Sequence, residues 1–224
     1  MALYHNSQKK QPDKLVSAKA LAKRFVERNG FIRHDLCRWD DHGWCKRLPH
    51  GGKERVYLPD NKGMNPSYVE NALCRAKALF HDLPCCPNLL RIDHYPEEAD
   101  RITLQTLAQV GLPVPNESIQ EKRIDKNTCF LQEHLYWDLT KGNYQIDKLL
   151  LEIIKGDIGG FSFLCSNVYL LNTESAVLYH LYDDRGADIA AFDKHVLLPL
   201  YKKYNNWILQ HDKVKIDRLF ADCM

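Results

Sequence analysis

The sequence comprises 224 residues with a formal net charge of +2, of which 45% are hydrophobic and 27% are charged. These values are typical of a soluble globular chain with one domain and a sizeable core, and they exclude a low-complexity protein. The first residues contain no apolar segment of the kind found in export signals, and the longest apolar runs are too short to cross a bilayer, so we expect a cytoplasmic protein.

The N-terminal part is predicted to begin with a loose segment and a helix. We expect a flexible N-terminus over residues 1–11 and a single α+β domain over 12–224, in which 12–65 is a candidate N-terminal extension. Apolar residues at helical spacing favour a helix from Pro12 to the Asn29-Gly30 pair, which is typical of a C-terminal cap. The other face of this helix carries five cations, Lys14, Lys19, Lys23, Arg24 and Arg28. Such a stripe suits nucleic acid but is more often the solvated side of a helix, so we do not expect a nucleic-acid partner.

A group of histidines and cysteines follows between residues 34 and 50. His34, Cys37, His42 and Cys45 supply the imidazole and thiol groups that hold Zn²⁺ in tetrahedral sites. Their spacing fits none of the usual zinc-finger patterns, and tryptophans alternate with them as they would in a half-buried strand. The sequence leaves zinc binding open at these four residues, although the strand interpretation is the stronger one.

Helices and strands are both predicted in the middle of the chain, where helical periodicity and turn residues alternate. In chain order these elements are a helix that begins at Asn65-Pro66-Ser67 and ends before Leu83-Pro84, a strand over 89–92, a helix from Glu97 that Gly111 ends, a loop over 113–116, and a strand over 129–137. Cys74 lies within the apolar pattern of the first of these helices, which predicts a small core residue.

The last hundred residues predict a helix, three strands and two further helices. The helix covers 144–154, the strands cover 168–171, 176–182 and 187–191, and the second strand is apolar on both faces, as a central covered strand would be. Pro199 is expected near a helix start, and Asp212 is expected to cap the last helix. The predicted fold class is α+β: an antiparallel sheet with helices packed on it, and a C-terminal β-hairpin followed by two helices.

The stretch YHLYDDRGADIAA, residues 179–191, places three carboxylates around one arginine. Asp183 can hydrogen-bond the backbone two residues on, Gly186 can take a positive φ, and Arg185 can pair with any of the acids, so the pattern predicts a hairpin turn. The same carboxylates, Asp183, Asp184 and Asp188, are also the oxygen ligands that Mg²⁺ prefers. The arginine among them competes with a cation, which makes the turn the stronger interpretation.

Familiar catalytic signatures are absent from the sequence. It contains no glycine-rich phosphate-binding motif, no G-x-S-x-G elbow and no H-E-x-x-H helix. His180, within the apolar strand 176–182, is a candidate proton carrier, although a hydrogen-bonded core histidine is the more frequent case. We therefore predict no catalytic residue, no cofactor and no metal site.

The segment LYHLYDDRGADIAA, with LLPLYKKYNNWIL and HDKVKIDRLF after it, resembles an uncharacterised bacterial domain family. Members of that family carry a Y-D-D-R-G-x-D turn and a P-L-Y-x-K-Y-N-x-W-I-L helix, which correspond here to residues 182–188 and 199–209. The earlier helix, with Arg75 and Ala76 in matching places, is similar as well. The resemblance implies that the charged turn is a family feature, and it brings no known activity. Small bacterial domains of this kind are accessory or immunity-type proteins about as often as they are enzymes.

The sequence favours a non-catalytic bacterial protein-binding module, and within that class an immunity protein that neutralises a partner toxin. In this interpretation Asp183, Asp184, Arg185 and Asp188 belong to the partner-binding surface, where charge complementarity orients the partner. The alternative is a metal-dependent hydrolase or nuclease that uses the Asp183, Asp184 and Asp188 cluster, with His180 beside it. A protein partner is expected and a membrane is not, while the oligomeric state stays open.

Overall fold

The structure is a computed structural model that describes residues 31–35, 44–45, 54–55, 65–94, 105–125, 128–156, 158, 164 and 166–223. The helix predicted from Pro12 and most of the segment 12–65 lie outside these residues.

Nine strands lie in the described part of the chain. They are β1 (Phe31–Asp35), β2 (Trp44–Cys45), β3 (Glu54–Arg55), β4 (Leu89–His94), β5 (Glu117–Asp125), β6 (Thr128–Asp138), β7 (Asn167–Asn172), β8 (Val177–Leu181) and β9 (Gly186–Ala191). β2 pairs with β3, and the other seven strands form one sheet in the order β1-β9-β8-β7-β4-β6-β5. All neighbouring strands of this sheet are antiparallel, as predicted. β5, one of its edge strands, is not among the elements that the sequence predicts.

Helices cover one face of the sheet, which we call the helix-covered face. The α-helices with described bounds are α1 (Pro66–His81), α2 (Ile146–Gly156), α3 (Leu198–Lys203) and α4 (Gln210–Phe220), and a further helical segment covers residues 105–109. Trp137, Tyr179 and Ile189 are fully buried on this face, and they pack in one core with apolar residues of the helices. Burying such large side chains supplies the main stabilisation of the fold. The α+β class predicted from the sequence is confirmed.

α1 begins and ends where its sequence signals predict. The Asn65 side chain accepts a hydrogen bond from the Ser67 backbone N–H at 3.2 Å, and Pro66 occupies the first turn. The Tyr179 hydroxyl donates to the Ala76 carbonyl at 3.0 Å, which ties the helix to a central strand. One prediction for α1 is wrong: Cys74 is exposed and not part of the core.

The C-terminal segment is a β-hairpin followed by helices, as predicted, with two differences in detail. All five residues of β8 are buried, which fits a central strand covered on both faces. The helix after the hairpin is shorter than predicted, because α3 ends at Lys203 and a separate 3-10 turn covers Asn205–Trp207. The prediction that Asp212 caps α4 is wrong: Leu209 is the N-cap, and Asp212 is buried within the first turn.

The opposite face of the sheet, which we call the second face, is also buried in its centre. Leu89, Tyr136, Leu171, Leu178 and Ala190 form a smaller apolar cluster on it. Polar side chains continue along this face beyond the cluster. None of the helices in the described part of the chain is long and apolar enough to span a membrane.

Candidate functional site

The charged stretch found in the sequence forms the tip of the hairpin between β8 and β9, and we call residues 182–186 the hairpin tip. The Asp183 carboxylate accepts hydrogen bonds from the backbone N–H groups of Arg185 at 2.7 Å and Gly186 at 3.2 Å. These bonds are the turn chemistry that the sequence predicts. The positive φ expected for Gly186 is not observed. Instead, a Cβ atom at this position would overlap the hydroxyl end of the Tyr182 ring, so any larger residue here has to displace that ring.

Arg185 is held by the same carboxylate that closes the turn. Its Nε donates to Asp183 Oδ2 at 2.8 Å, and its Nη2 forms an ion pair with the same oxygen. The Asp183 side chain is only 7% exposed, whereas the Arg185 side chain is 51% exposed. The positive charge is therefore fixed in direction by a buried acid while its outer surface faces solvent.

Asp184 points away from this ion pair towards α1. It is 1% exposed and accepts a hydrogen bond from the Tyr68 hydroxyl. Burial raises the pKa of Asp184 from 3.8 to about 6; the bond from Tyr68 opposes this rise, and the neighbouring Asp183 charge adds to it. The contact with Tyr68 ties the hairpin tip to α1.

Asp188 lies on the other side of the sheet from Asp184. Its neighbours in β9, Ala187 and Ile189, belong to the core of the helix-covered face, so Asp188 lies on the second face, where it is paired in register with His180. The three carboxylates that the sequence places together thus have three different surroundings. Among the described residues, no group of three histidine, cysteine, aspartate or glutamate side chains is placed to hold a metal ion.

Asp188 and His180 belong to a row of polar and aromatic residues that crosses the whole sheet, and we call it the polar row. From one edge strand to the other, its residues are Arg33, Asp188 and His180, which are paired in register, and then Tyr169, Arg91, Tyr136 and Glu117, which are also paired in register. The His180 ring packs on Tyr169 with a centroid distance of 4.5 Å. The Arg91 guanidinium lies 5.7 Å from the Tyr169 ring centroid and 6.0 Å from that of Tyr136. These spacings suit cation–π contact.

A second charged group lies beside the polar row, on β4, β5 and β6. Arg91 donates two hydrogen bonds to Asp93, at 2.6 and 2.8 Å, and His134 Nδ1 lies 2.7 Å from the same carboxylate. His134 Nε2 lies 3.6 Å from Glu121 of the edge strand. Burial alone would raise the pKa of Asp93, but hydrogen bonds from His134 and Arg91 outweigh burial and hold the pKa below its ordinary value. The group is a charge-compensated network that links three strands.

The sequence pattern indicates His180 and Asp188 as candidate residues, but it does not indicate Arg91, Asp93 and His134. One signal was available: Arg91 and Asp93 are charged residues two positions apart in an apolar strand, which places both on one face. All five side chains are buried, with at most 9% of each residue exposed. The network therefore offers no open approach to a substrate from the described part of the chain, and its clear effect is to align strands.

Two predictions made for the N-terminal part fall outside the described residues. The backbone of His34 lies in β1 and that of Cys45 in β2, but the side chains of these residues, and all of Cys37 and His42, are not described. The basic helix face from Lys14 to Arg28 is not described either. Both stay predictions.

Comparison with known proteins places the chain in a family without assigned activity. The family described as a domain of unknown function (DUF3885) matches residues 17–212. The chain belongs to this family. An uncharacterised protein of Bacillus subtilis, YnaE, is 33% identical over 57 residues, which are 25% of this chain and 27% of the Bacillus protein. The chain therefore spans about a quarter of that relative, and no solved structure matches.

Proposed function

We propose that this chain is a non-catalytic protein-binding module that contacts its partner with the hairpin tip. The finer proposal is an immunity protein that neutralises a bacterial toxin by covering its active surface. The observation that carries the proposal is Arg185, whose side chain is held in a fixed direction and is half-exposed. Tyr182, on the same hairpin tip, is 36% exposed. Arginine and tyrosine are enriched among the side chains that contribute most to protein interfaces.

The carboxylates of the tip act as its framework in this proposal. Asp183 closes the turn and directs the guanidinium, and Asp184 holds the tip to α1 through Tyr68. Asp188 supports the hairpin from the second face, opposite His180. A surface that is already ordered before contact loses less conformational freedom on binding. The sequence predicts a partner-binding role for all four charged residues. In this proposal Arg185 contacts the partner directly, and the three acids hold the hairpin tip in place.

The test uses the protein encoded by the gene next to this one. Co-expression of the full chain with that protein is expected to relieve its toxicity, and the two proteins are expected to elute as one complex. Arg185→Ala is expected to weaken the complex about 10- to 100-fold, since hot-spot truncations cost about 1.4 to 2.7 kcal/mol. Lys148→Ala, which removes an exposed cation from α2, is the matched control and should change the affinity less than twofold.

Two results would overturn the proposal. One is the absence of any complex and of any growth protection by the folded wild-type chain. The other is a complex that Arg185→Ala and Lys148→Ala weaken equally, because the hairpin tip would then contribute no more than any surface charge.

A further inference from the structure

Two cysteines stand side by side in the loop between α1 and β4, and we call Cys85 and Cys86 the thiol pair. Both thiols are free; Cys86 is exposed and Cys85 is partly exposed. Pro84 and Pro87 flank the pair on either side. Because each proline fixes its own φ, this segment has fewer accessible conformations than an ordinary loop.

The turn between β7 and β8 holds the thiol pair in place. The Asn172 side-chain amide donates to the Cys86 carbonyl at 2.7 Å, and the Ser175 hydroxyl donates to Cys85 Sγ at 2.8 Å. The Asn88 side chain accepts a hydrogen bond from the backbone of the same turn at 3.1 Å. This turn precedes β8, whereas the hairpin tip follows it, so the thiol pair and the hairpin tip lie at opposite ends of one strand.

The two sulfur atoms are close enough to influence each other. Burial raises the pKa of the Cys85 thiol, the hydrogen bond from Ser175 opposes this rise, and a negative charge on Cys86 adds to it. The exposed Cys86 thiol gives a ligand its first point of attachment. The neighbouring Cys85 sulfur is then available for a second bond to the same ligand.

Geometry favours a bridging atom over a direct bond between the two sulfurs. Consecutive Cα atoms are about 3.8 Å apart, whereas disulfide-bonded cysteines usually have Cα atoms about 4.4 to 6.8 Å apart, so a disulfide here would be strained and easily reduced. Two thiolates on a tetrahedral ion, with bonds of about 2.3 Å, keep their sulfurs roughly 3.8 Å apart instead of bonded. Thiolates select soft ions over hard ones such as Mg²⁺.

We propose that Cys85 and Cys86 bind a soft, thiophilic ion or metalloid through both sulfurs. Since no group of three metal-binding side chains occurs among the described residues, the pair suits a ligand that needs only two thiolates, such as a monosubstituted trivalent arsenical. With phenylarsine oxide, two As–S bonds replace the As–O bond, the oxygen leaves as water with both thiol protons, and arsenic stays trivalent. The site does not depend on the proposed protein-binding function.

The test uses the full chain in its reduced form and phenylarsine oxide as the probe. Intact-mass spectrometry counts the adducts, and the concentration of a competing small dithiol that releases half of the probe measures the affinity. Cys85→Ser and Cys86→Ser should each remove one adduct relative to the wild type. Any probe left on the remaining sulfur should be released by at least 100-fold less dithiol, because the second bond within one chain raises the affinity about 10²- to 10⁴-fold.

Exposed single cysteines elsewhere in the chain provide matched controls. Cys74 and Cys129 are exposed free thiols without a neighbouring cysteine in the sequence. Cys74→Ser and Cys129→Ser should leave the adduct count unchanged and alter the affinity less than twofold. Circular dichroism establishes that all four variants are folded.

Three results would overturn the proposal: an unchanged adduct count in Cys85→Ser and Cys86→Ser, an equal loss in the control variants, or release of the probe from the wild type by a monothiol as readily as by the dithiol. A disulfide between the two cysteines that persists in mild reductant would assign the pair to redox chemistry instead. Arg185→Ala should leave probe binding unchanged, so a failure at the thiol pair is distinguishable from a failure of the hairpin tip.

Discussion

The role of Asp184 in the structure differs from the role that its sequence neighbours suggest. In the sequence it is one of three neighbouring acids, but in the fold it is 1% exposed and bonded to Tyr68 of α1. Its pKa of about 6, raised chiefly by burial, means that the folded protein holds a proton here that the unfolded chain releases near 4. This residue therefore makes stability depend on pH.

We predict that Asp184→Asn removes part of the pH dependence of folding between pH 4 and pH 7. The folded state binds more protons than the unfolded state in this range, so the contribution of Asp184 to stability falls as pH rises through about 6. The free energy of unfolding, from urea titrations at several pH values, should fall more steeply in the wild type than in the variant. The difference should approach about 3 kcal/mol at most. Parallel profiles for wild type and Asp184→Asn would contradict the prediction.

The second prediction at the residue scale concerns Gly186. Its hydrogen atom faces the Tyr182 ring, so Gly186→Ala should displace that ring and lower the free energy of unfolding by about 1 to 3 kcal/mol. The same substitution in a Tyr182→Ala background should cost much less, because the added methyl group then has room. Urea unfolding of the four proteins in this double-mutant cycle measures the coupling. Additive effects of the two substitutions would show that the ring contact is not the reason for glycine.

At the scale of elements, the charged network of Arg91, Asp93 and His134 joins β4 to β6. We predict that Asp93→Ala lowers the free energy of unfolding by about 3 to 5 kcal/mol, because it leaves a buried guanidinium without its counter-charge. The double variant Arg91→Met with Asp93→Leu should be more stable than Asp93→Ala alone. Equal stability of these two variants, measured by urea unfolding, would count against the pairing. Since the pKa of Asp93 is lowered, its contribution is present at neutral pH and is lost as pH falls below about 4.

The elements that could be predicted from the sequence are those with local signals. α1 has an N-cap, a proline in its first turn and a regular apolar face, and the hairpin between β8 and β9 has an aspartate that closes its own turn. β5 has only two apolar residues, Ile119 and Ile124, among nine, so it resembles a polar loop. An edge strand needs apolar side chains less, because solvent reaches one of its sides.

The candidate site was predictable only in part, for a related reason. The turn at Asp183 and the pairing of His180 with Asp188 follow from one hairpin, whose strands are close in sequence. The contact of Arg91 with Tyr169 depends on the position of β4 between β6 and β7, which is set by packing over the whole sheet. Nothing local to residue 91 specifies that neighbour.

At the scale of the described part of the molecule, the distribution of charge in the hairpin favours the proposed binding surface over a reaction centre. The acids of the charged stretch are buried and help to hold the fold, whereas Arg185 is exposed. Under the proposed function, the exposed guanidinium orients an acidic region of the partner during encounter. Asp184 and Asp188 lie on opposite sides of the sheet, so the metal-dependent alternative lacks converging ligands at this place.

The most direct measurement is a calorimetric titration of the full chain with Mg²⁺ and with Mn²⁺ at neutral pH. Because the three carboxylates have separate structural roles and do not converge on one ion, we predict that any heat of titration is the same for the wild type, Asp184→Asn and Asp188→Asn. Circular dichroism first establishes that all three proteins are folded. A saturable heat in the wild type that both substitutions abolish would show that the carboxylates converge on one ion, and it would contradict the assignment of the hairpin tip to protein binding.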